Sequence, residues 1–164
     1  MRYEWIVIVG LLTGNALAAD IELSTRVSGV VEEVLVKPGQ NVKKGAVLMR
    51  LNKVIYQAQV DEASAENERL HAEEADAKRD LDRGQELYSR TVSSTTELDS
   101  AKLRYTRAKS ALTMANAKLT IAKKNLLDTE LRAPFNGMVA AVPAAPGVVI
   151  AADCQPRTLV VMRR

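Results

Sequence analysis

The sequence predicts an α+β fold: a small β-sandwich, or flattened barrel, interrupted by a long antiparallel α-helical coiled-coil hairpin. Three observations predict it. A short phrase occurs twice: Gly29, Val31, Val34, Pro38, Gly39 and Val42 recur as Gly137, Val139, Val142, Pro146, Gly147 and Ile150, offset by 108 at every position. Between the copies, from about residue 52 to 128, there is no proline and only one glycine. Within that stretch apolar residues step by three and four, the spacing of a coiled-coil seam. An insertion held by two halves of one β-unit must leave and return at one place, so it projects as a hairpin.

The elements follow in chain order. Residues 1–18 read as an export signal: Arg2, an apolar run from Trp5 to Leu12, and Ala16-Leu17-Ala18, with cleavage expected before Ala19. An uncleaved anchor is the alternative, but the run falls short of the roughly 20 apolar residues that span a bilayer. No cysteine follows the run, as a lipoprotein signal would require. Cys154 is the sole cysteine, which excludes an internal disulfide and suits a small packed hydrophobe.

The first β-half covers 28–51. Val34 and Val36 alternate with Leu35 and Lys37 before Pro38-Gly39, which suits positions i+1 and i+2 of a type II turn. Lys43-Lys44-Gly45 makes a second turn, and Val47, Met49 and Leu51 alternate in a last strand. The second half covers 131–162. Asn136-Gly137 reads as a tight turn, with strands expected at 138–142, 148–151 and 158–162. Each half has about two dozen residues, too few for an unaided core. The two are expected to join face to face.

The hairpin covers 52–129. Its second arm carries the seam Leu98, Ala101, Tyr105, Ala108, Leu112, Ala115, Leu119, Ala122, Leu126. The first carries Tyr56, Val60, Ala63, Asn67, Leu70, Glu74, Ala77, Leu81, Gly84, Tyr88, in which Asn67 and Glu74 are defects. Folding the arms back near Val92 sets Leu81 against Tyr105, Ala77 against Ala108, Leu70 against Ala115 and Val60 against Leu126. Facing residue numbers then sum to 185 or 186 throughout, so one register serves the whole length. Each arm should reach about 50–60 Å at the helical rise. Ser94-Thr95-Thr96-Glu97 is a capping box that should start the second arm. Gly84, poor for a helix, is expected where the arms approach closely.

Charge is segregated within a balanced total. The chain carries a formal +3 with 26% charged residues, which argues against a nucleic-acid footprint. Residues 53–91 hold ten acids and six bases; residues 95–128 hold three acids and seven bases. The arms thus carry −4 and +4. Two readings stay open: neutralisation within one hairpin, or side-by-side packing in which a first arm meets a neighbour's second arm. Hydrophobic residues make up 47% but aromatics only 4%, and alanine supplies much of the apolar count, so no large globular core is expected.

No catalytic constellation is visible, and no metal or cofactor is expected. His71, the only histidine, lies on a charged helix face. There is no phosphate-cradling glycine loop and no metal-ligand spacing.

The segments SGVVEEVLVKPGQNVKKGAVLMRLN and LRAPFNGMVAAVPAAPGVVI resemble the lipoyl/biotinyl-like halves of the HlyD-type periplasmic adaptors, or membrane fusion proteins. Arg83, Leu87 and Ser94 have the spacing R-x3-L-x6-S, which resembles the tip motif with which such adaptors engage a TolC-type outer-membrane channel. The resemblance implies a periplasmic subunit of tripartite efflux or secretion that bridges this channel and an inner-membrane transporter, of RND or ABC class. It also implies a homo-oligomer, a hexameric or dimer-based ring. In this setting Arg83 would donate hydrogen bonds to the channel's helix ends, Leu87 would bury in the contact, and Ser94 would cap the turn. Family members usually continue into a β-barrel and a membrane-proximal domain; a minimal two-domain form is expected here, which puts the inner-membrane contact in doubt. Two other readings stay open. One is a structural or regulatory member of an adaptor ring. The other is a lipoyl or biotinyl carrier, for which Lys53, in Asn-Lys-Val at a helix start, is the nearest modifiable lysine.

Overall fold

The computed structural model describes residues 20–152 and 157–164. The expected export signal and Cys154 lie outside the described residues. The strands are β1 (Asp20–Leu23), β2 (Gly29–Val34), β3 (Asn41–Val42), β4 (Val47–Leu51), β5 (Glu130–Arg132), β6 (Gly137–Ala141), β7 (Val149–Ile150) and β8 (Val160–Arg163). Between β4 and β5 run the helices α1 (Val54–Ser89) and α2 (Thr95–Leu127). The α+β architecture matches the sequence expectation.

The two β-halves do not each form a sheet. The strand orders are β1-β8-β6-β3 and β5-β4-β2-β7, so each sheet takes strands from both halves. The Pro-Gly turns cause this exchange. Gly39 and Gly147 both sit at φ +85, left-handed backbone that glycine adopts without steric penalty. Beyond each turn the chain crosses to the opposite sheet. Gly39 N–H donates to Val139 O at 2.7 Å, and Gly147 N–H donates to Val31 O at 2.9 Å. These bonds are copies of each other at the 108 offset. The pairs Gly29↔Ile150 and Val42↔Gly137 repeat the same symmetry, and both register shifts fall at matching places, Val31/Glu33 and Val139/Ala141.

The symmetry extends past what the sequence phrase revealed. β1 pairs with β8 as β5 pairs with β4. Each repeat therefore contributes four strands, and β1 and the first residue of β5 lie outside the 28–51 and 131–162 spans. Both are short, β1 mostly exposed and β5 half-buried, and neither carries a clean alternation. The core between the sheets is aliphatic: Val31, Leu48, Met49, Val139, Leu159, Val160 and Met162 are all at most 1% exposed.

Asn136-Gly137 is not a hairpin turn. Gly137 is the first residue of β6, and a Cβ there would stand 2.4 Å from Arg163 O. The glycine permits close strand approach rather than a reversal. Asn136 Oδ1 accepts from Lys44 N–H at 2.7 Å, tying that strand start to the first half's second turn.

At its root the hairpin is fixed to the sandwich. Tyr56 Oη donates to Ser28 O at 2.6 Å, and Leu51 N–H donates to Thr129 O at 2.8 Å. Asp128, at the end of α2, accepts from Arg26 at 2.6 Å and Lys124 at 2.5 Å. Burial pushes its carboxyl up, but the bonds from Lys124 and Arg26 prevail and hold it below the usual aspartate range.

Along the arms, Leu70 and Leu81 of α1 and Leu98, Ala101, Ala108, Ala115 and Ala122 of α2 are buried. Tyr105, Leu112, Leu119 and Leu126 are half-buried. Alanine thus fills the centre of the α2 seam, and the larger residues cover its rim. The register is as expected: Gly84 lies opposite Ala101, and the polar defect Asn67 donates to Asn116 across the seam at 2.9 Å. Gly84 has a different meaning from the one its sequence suggests. A Cβ would meet Ala101 Cβ at 3.7 Å and Leu98 Cδ1 at 4.0 Å, ordinary van der Waals contact, so the arms' approach does not require glycine.

Candidate functional site: the hairpin tip

The connection between the arms is built from two helix caps in succession. α1 ends at the C-cap Arg90, and Thr91 turns left-handed at φ 58. Val92 N–H donates to Leu87 O at 3.0 Å and Thr91 N–H to Tyr88 O at 3.0 Å. This six-to-one and five-to-two pair is a Schellman motif, with threonine in the place glycine usually takes. Its usual hydrophobic partners are the residues here occupied by Leu87 and Val92. α2 then starts on Ser94, whose Oγ accepts from Glu97 N–H at 3.2 Å while Glu97 Oε2 accepts from Ser94 N–H at 3.0 Å and from Ser93 Oγ at 2.7 Å. The capping box read from the sequence is complete. These bonds, Ser94 N–H first, hold the Glu97 carboxyl below the usual glutamate range.

The three motif residues come together at this end, in different states. The Ser94 hydroxyl is occupied by the cap. Leu87 is 38% exposed and shares with Val92 the lining of a shallow depression of about 410 Å³, also lined by Arg83, Gly84, Ser93 and Arg104. Leu87 is not part of the buried cluster of Leu81, Leu98 and Ala101. Arg83 is 70% exposed, and among the described residues its guanidinium reaches only Asp80, at 3.5 Å. Two further residues belong with them: Tyr88 (45% exposed) and Val92 (73%). The seam pattern places Tyr88 between the arms and uses Val92 only to mark the fold-back; Tyr88 instead faces outward, because the first arm's last turn lies beyond the start of α2 on the seam at Leu98. A valine placed among Thr91, Ser93 and Ser94 in a polar turn was the available signal.

Elsewhere the other candidates lie apart from this end. Lys53 is the N-cap of α1 at the hairpin root and makes no side-chain cap bond. It does not occupy a tight turn between paired strands, where a carrier presents its lysine. His71 is exposed on α1. Among the described residues, no group of three or more His, Cys, Asp or Glu is placed to hold a metal. No described helix is long and apolar enough to cross a membrane.

Residues 20–159 match the family model of the CzcB-like, barrel-sandwich hybrid domain. The chain belongs to that family. It is 29% identical over 140 residues to the efflux pump periplasmic linker BepD of Brucella suis, covering 85% of this chain and 35% of that protein. It is 32% identical over 139 residues to the cobalt-zinc-cadmium resistance protein CzcB of Cupriavidus metallidurans, covering 82% and 26%. The membrane fusion protein Spr0693 of Streptococcus pneumoniae R6 shares the fold, with a TM-score of 0.66 at 18% identity over 88% of this chain and 59% of that one. The chain thus spans about a quarter to a third of the length of these curated relatives. The likeness to periplasmic adaptors that the two β-segments implied is a family relationship.

Charge on this barrel-sandwich hybrid protein's hairpin is organised within each arm. The ion pairs Arg69–Glu66, Arg69–Glu73, Lys78–Asp82, Arg79–Asp76, Arg83–Asp80, Arg90–Glu86 and Lys102–Asp99 all join residues three or four apart on one helix. Among the described residues, no ion pair joins α1 to α2. Across the arms the interaction is longer in range: after its bond from Arg69, the Lys118 charge of α2 helps hold the Glu66 carboxyl of α1 below the usual glutamate range.

Proposed function

We propose that this protein is a non-enzymatic periplasmic adaptor subunit of a tripartite efflux or export system. Its hairpin tip contacts a TolC-type outer-membrane channel, and the assembly bridges that channel to an inner-membrane transporter of RND or ABC class. Export by residues 1–18 would place it in the periplasm, and a homo-oligomeric ring, hexameric or built from dimers, would carry the hairpins side by side.

One observation carries this reading: the end of the hairpin farthest from the β-sandwich exposes apolar side chains beside a guanidinium held only loosely, at 3.5 Å, by Asp80. Leu87, Tyr88 and Val92 are exposed where α1 meets α2, and Arg83 stands one turn below them. α1 alone has 36 residues, about 54 Å at the helical rise. Exposed large apolar groups at the tip of a projecting element suit a protein contact. An arginine there can form a forked, charge-assisted bond with carboxylates or helix-end carbonyls.

The test is Arg83→Asp. The hairpin should fold as before, because a solvent-exposed helical ion pair contributes about 1 kcal/mol or less. Capture of the purified outer-membrane channel, and transport in cells, should fall at least tenfold. Leu112→Asp, on the seam rim, should instead lower the unfolding temperature. If Arg83→Asp leaves channel capture intact, the tip is not the docking site, and the reading as a structural member of an adaptor ring takes its place.

A further inference from the structure

The end of the β-sandwich opposite the hairpin carries basic residues that the proposed function leaves unused. β4 and β5 run between this end and the hairpin root: Leu51 and Glu130 stand next to the helices, and the pair Val47↔Arg132 lies toward the other end. Beyond that pair come the turn Lys43-Lys44-Gly45 and the segment Pro134-Phe135-Asn136. Lys44 N–H donates to Asn136 Oδ1 at 2.7 Å and Gly45 N–H to Ala133 O at 2.8 Å, which ties the two together. Arg164 joins them, its guanidinium 5.7 Å from the centre of the Phe135 ring. A depression of about 310 Å³ opens between Lys44, Pro134, Phe135, Asn136 and Arg164.

Lys43, Lys44 and Arg164 are exposed, and among the described residues none of the three takes part in an ion pair. The carboxylates on these strands are engaged or stand higher. Asp20 is held by Arg163, Glu33 by Arg50 and Glu130 by Arg132. Glu22 is level with Val161, and Glu32 lies between residues paired with Arg50 and Leu51, both toward the hairpin. Even with a carboxylate at the end of Arg164 counted, the cations remain in surplus.

We propose that this end of the sandwich rests on an anionic phospholipid surface, with one headgroup phosphate held between Lys44 and Arg164 beside the Phe135 ring. The inference rests on the adaptor reading for its direction: a hairpin that points to an outer-membrane channel points this end to the inner membrane. β1 supports the same direction. Asp20 pairs with Arg163, so the chain preceding β1, which includes the apolar run Trp5–Leu12, joins the sandwich here. The chemistry fits a phosphodiester. Its two free oxygens match the guanidinium fork, and the lysine ammonium adds a point charge. The half-buried Phe135 ring gives the headgroup an apolar wall. Each basic residue close to an anionic surface strengthens binding about fivefold, so three give roughly a hundredfold.

Vesicle sedimentation tests it. The protein recovered from exporting cells is mixed with phosphatidylcholine vesicles, with and without phosphatidylglycerol. Binding is expected with phosphatidylglycerol, weakening as salt rises, and much less without it. Lys44→Glu and Arg164→Glu should each lower the partition coefficient by about tenfold or more. The Lys44 backbone bond to Asn136 survives the change. Lys123→Glu, the same change of charge on α2, should leave partition nearly as in wild type. Equal loss in Lys123→Glu means that total charge and not this site binds, and overturns the proposal. So does equal binding to neutral vesicles. Inorganic phosphate at constant ionic strength should not displace the protein; displacement means a site for free phosphate and overturns docking on lipid. Absence of binding to either vesicle also overturns it and leaves an acidic protein surface as the occupant. Channel capture separates the two readings. If capture persists without vesicle binding, this surface is wrong and the adaptor reading stands. If vesicles bind through Lys44 and Arg164 but the wild-type tip captures no channel, the reverse holds.

Discussion

Thr91 holds the least favourable backbone in the hairpin, and replacing it by glycine should make the protein more stable. At φ 58 the Thr91 Cβ crowds the following carbonyl, which costs an L-residue about 1–2 kcal/mol, and β-branching places it toward the upper end. Thr91→Gly removes that strain but loosens the unfolded chain, which offsets about 0.5–1 kcal/mol. The net gain is about 0.5–1 kcal/mol. The bonds Val92 N–H to Leu87 O and Thr91 N–H to Tyr88 O involve only backbone and survive the change. At this chain length about 1 kcal/mol corresponds to about 2–4 °C in midpoint. Thermal unfolding followed at 222 nm should therefore rise by a few degrees, and amide exchange at Thr91 and Val92 should slow. A fall in midpoint would refute the reasoning, because it would mean that the threonine side chain makes a stabilising contact that outweighs its strain.

Two further substitutions address the tip from each arm. Gly84→Ala should stabilise by about 1 kcal/mol, the helix-propensity difference, since the new Cβ fits at 3.7 Å from Ala101 Cβ; a loss in chemical denaturation would show that the arms pack more tightly than their geometry indicates. Ser94→Ala should lose about 1 kcal/mol of cap stability, whereas Ser94→Asn should keep most of it, as read by urea unfolding of the two variants side by side. The same cap should be acid-sensitive. The folded Glu97 carboxyl is depressed, so its contribution is fully present above the unfolded value of about 4.3 and is lost as pH falls through the lower folded value. Protection of the first α2 amides should decline in that window in wild type, and in a Glu97→Gln chain it should be lower at neutral pH and nearly flat.

The sequence made the hairpin legible because helical physics is local and periodic. Steps of three and four, a proline-free run and S-x-x-E each report on their own neighbourhood, and the register followed from the two seams together. It did not separate the alanine centre of the α2 seam from its leucine rim, since both types step alike. The β-unit was legible as a repeat but not as a topology. The phrase around Pro38-Gly39 and Pro146-Gly147 marks where the chain turns, yet nothing in it says that the next two residues join the other sheet. β1 and β5 escaped notice because they are short and bury little, so their positions come from pairing with β8 and β4 rather than from their own pattern. Gly84 and Gly137 show the same limit from the other side. A glycine in a helix suggested close approach where there is room for a Cβ, and a glycine after asparagine suggested a turn where a strand passes too close for one.

At the tip, the three motif residues differ in what they have left to offer. The Ser94 hydroxyl is spent on the cap, and its geometry is that of an ordinary helix start. Leu87 holds the hydrophobic position of the Schellman turn, so part of its burial is intramolecular even though more than a third of its surface is free. Arg83 has only a 3.5 Å approach to Asp80, too long for a strong bond, and most of its donors face solvent. A partner's gain from meeting Ser94 is therefore indirect, through the firmness of the turn. Its gain from Leu87 is shared with Val92 and Tyr88, which widen the apolar patch beyond the motif. The directional contact falls to Arg83, and a substitution there tests docking with little structural penalty. For Ser94 the two effects are inseparable unless the replacement, such as asparagine, still caps.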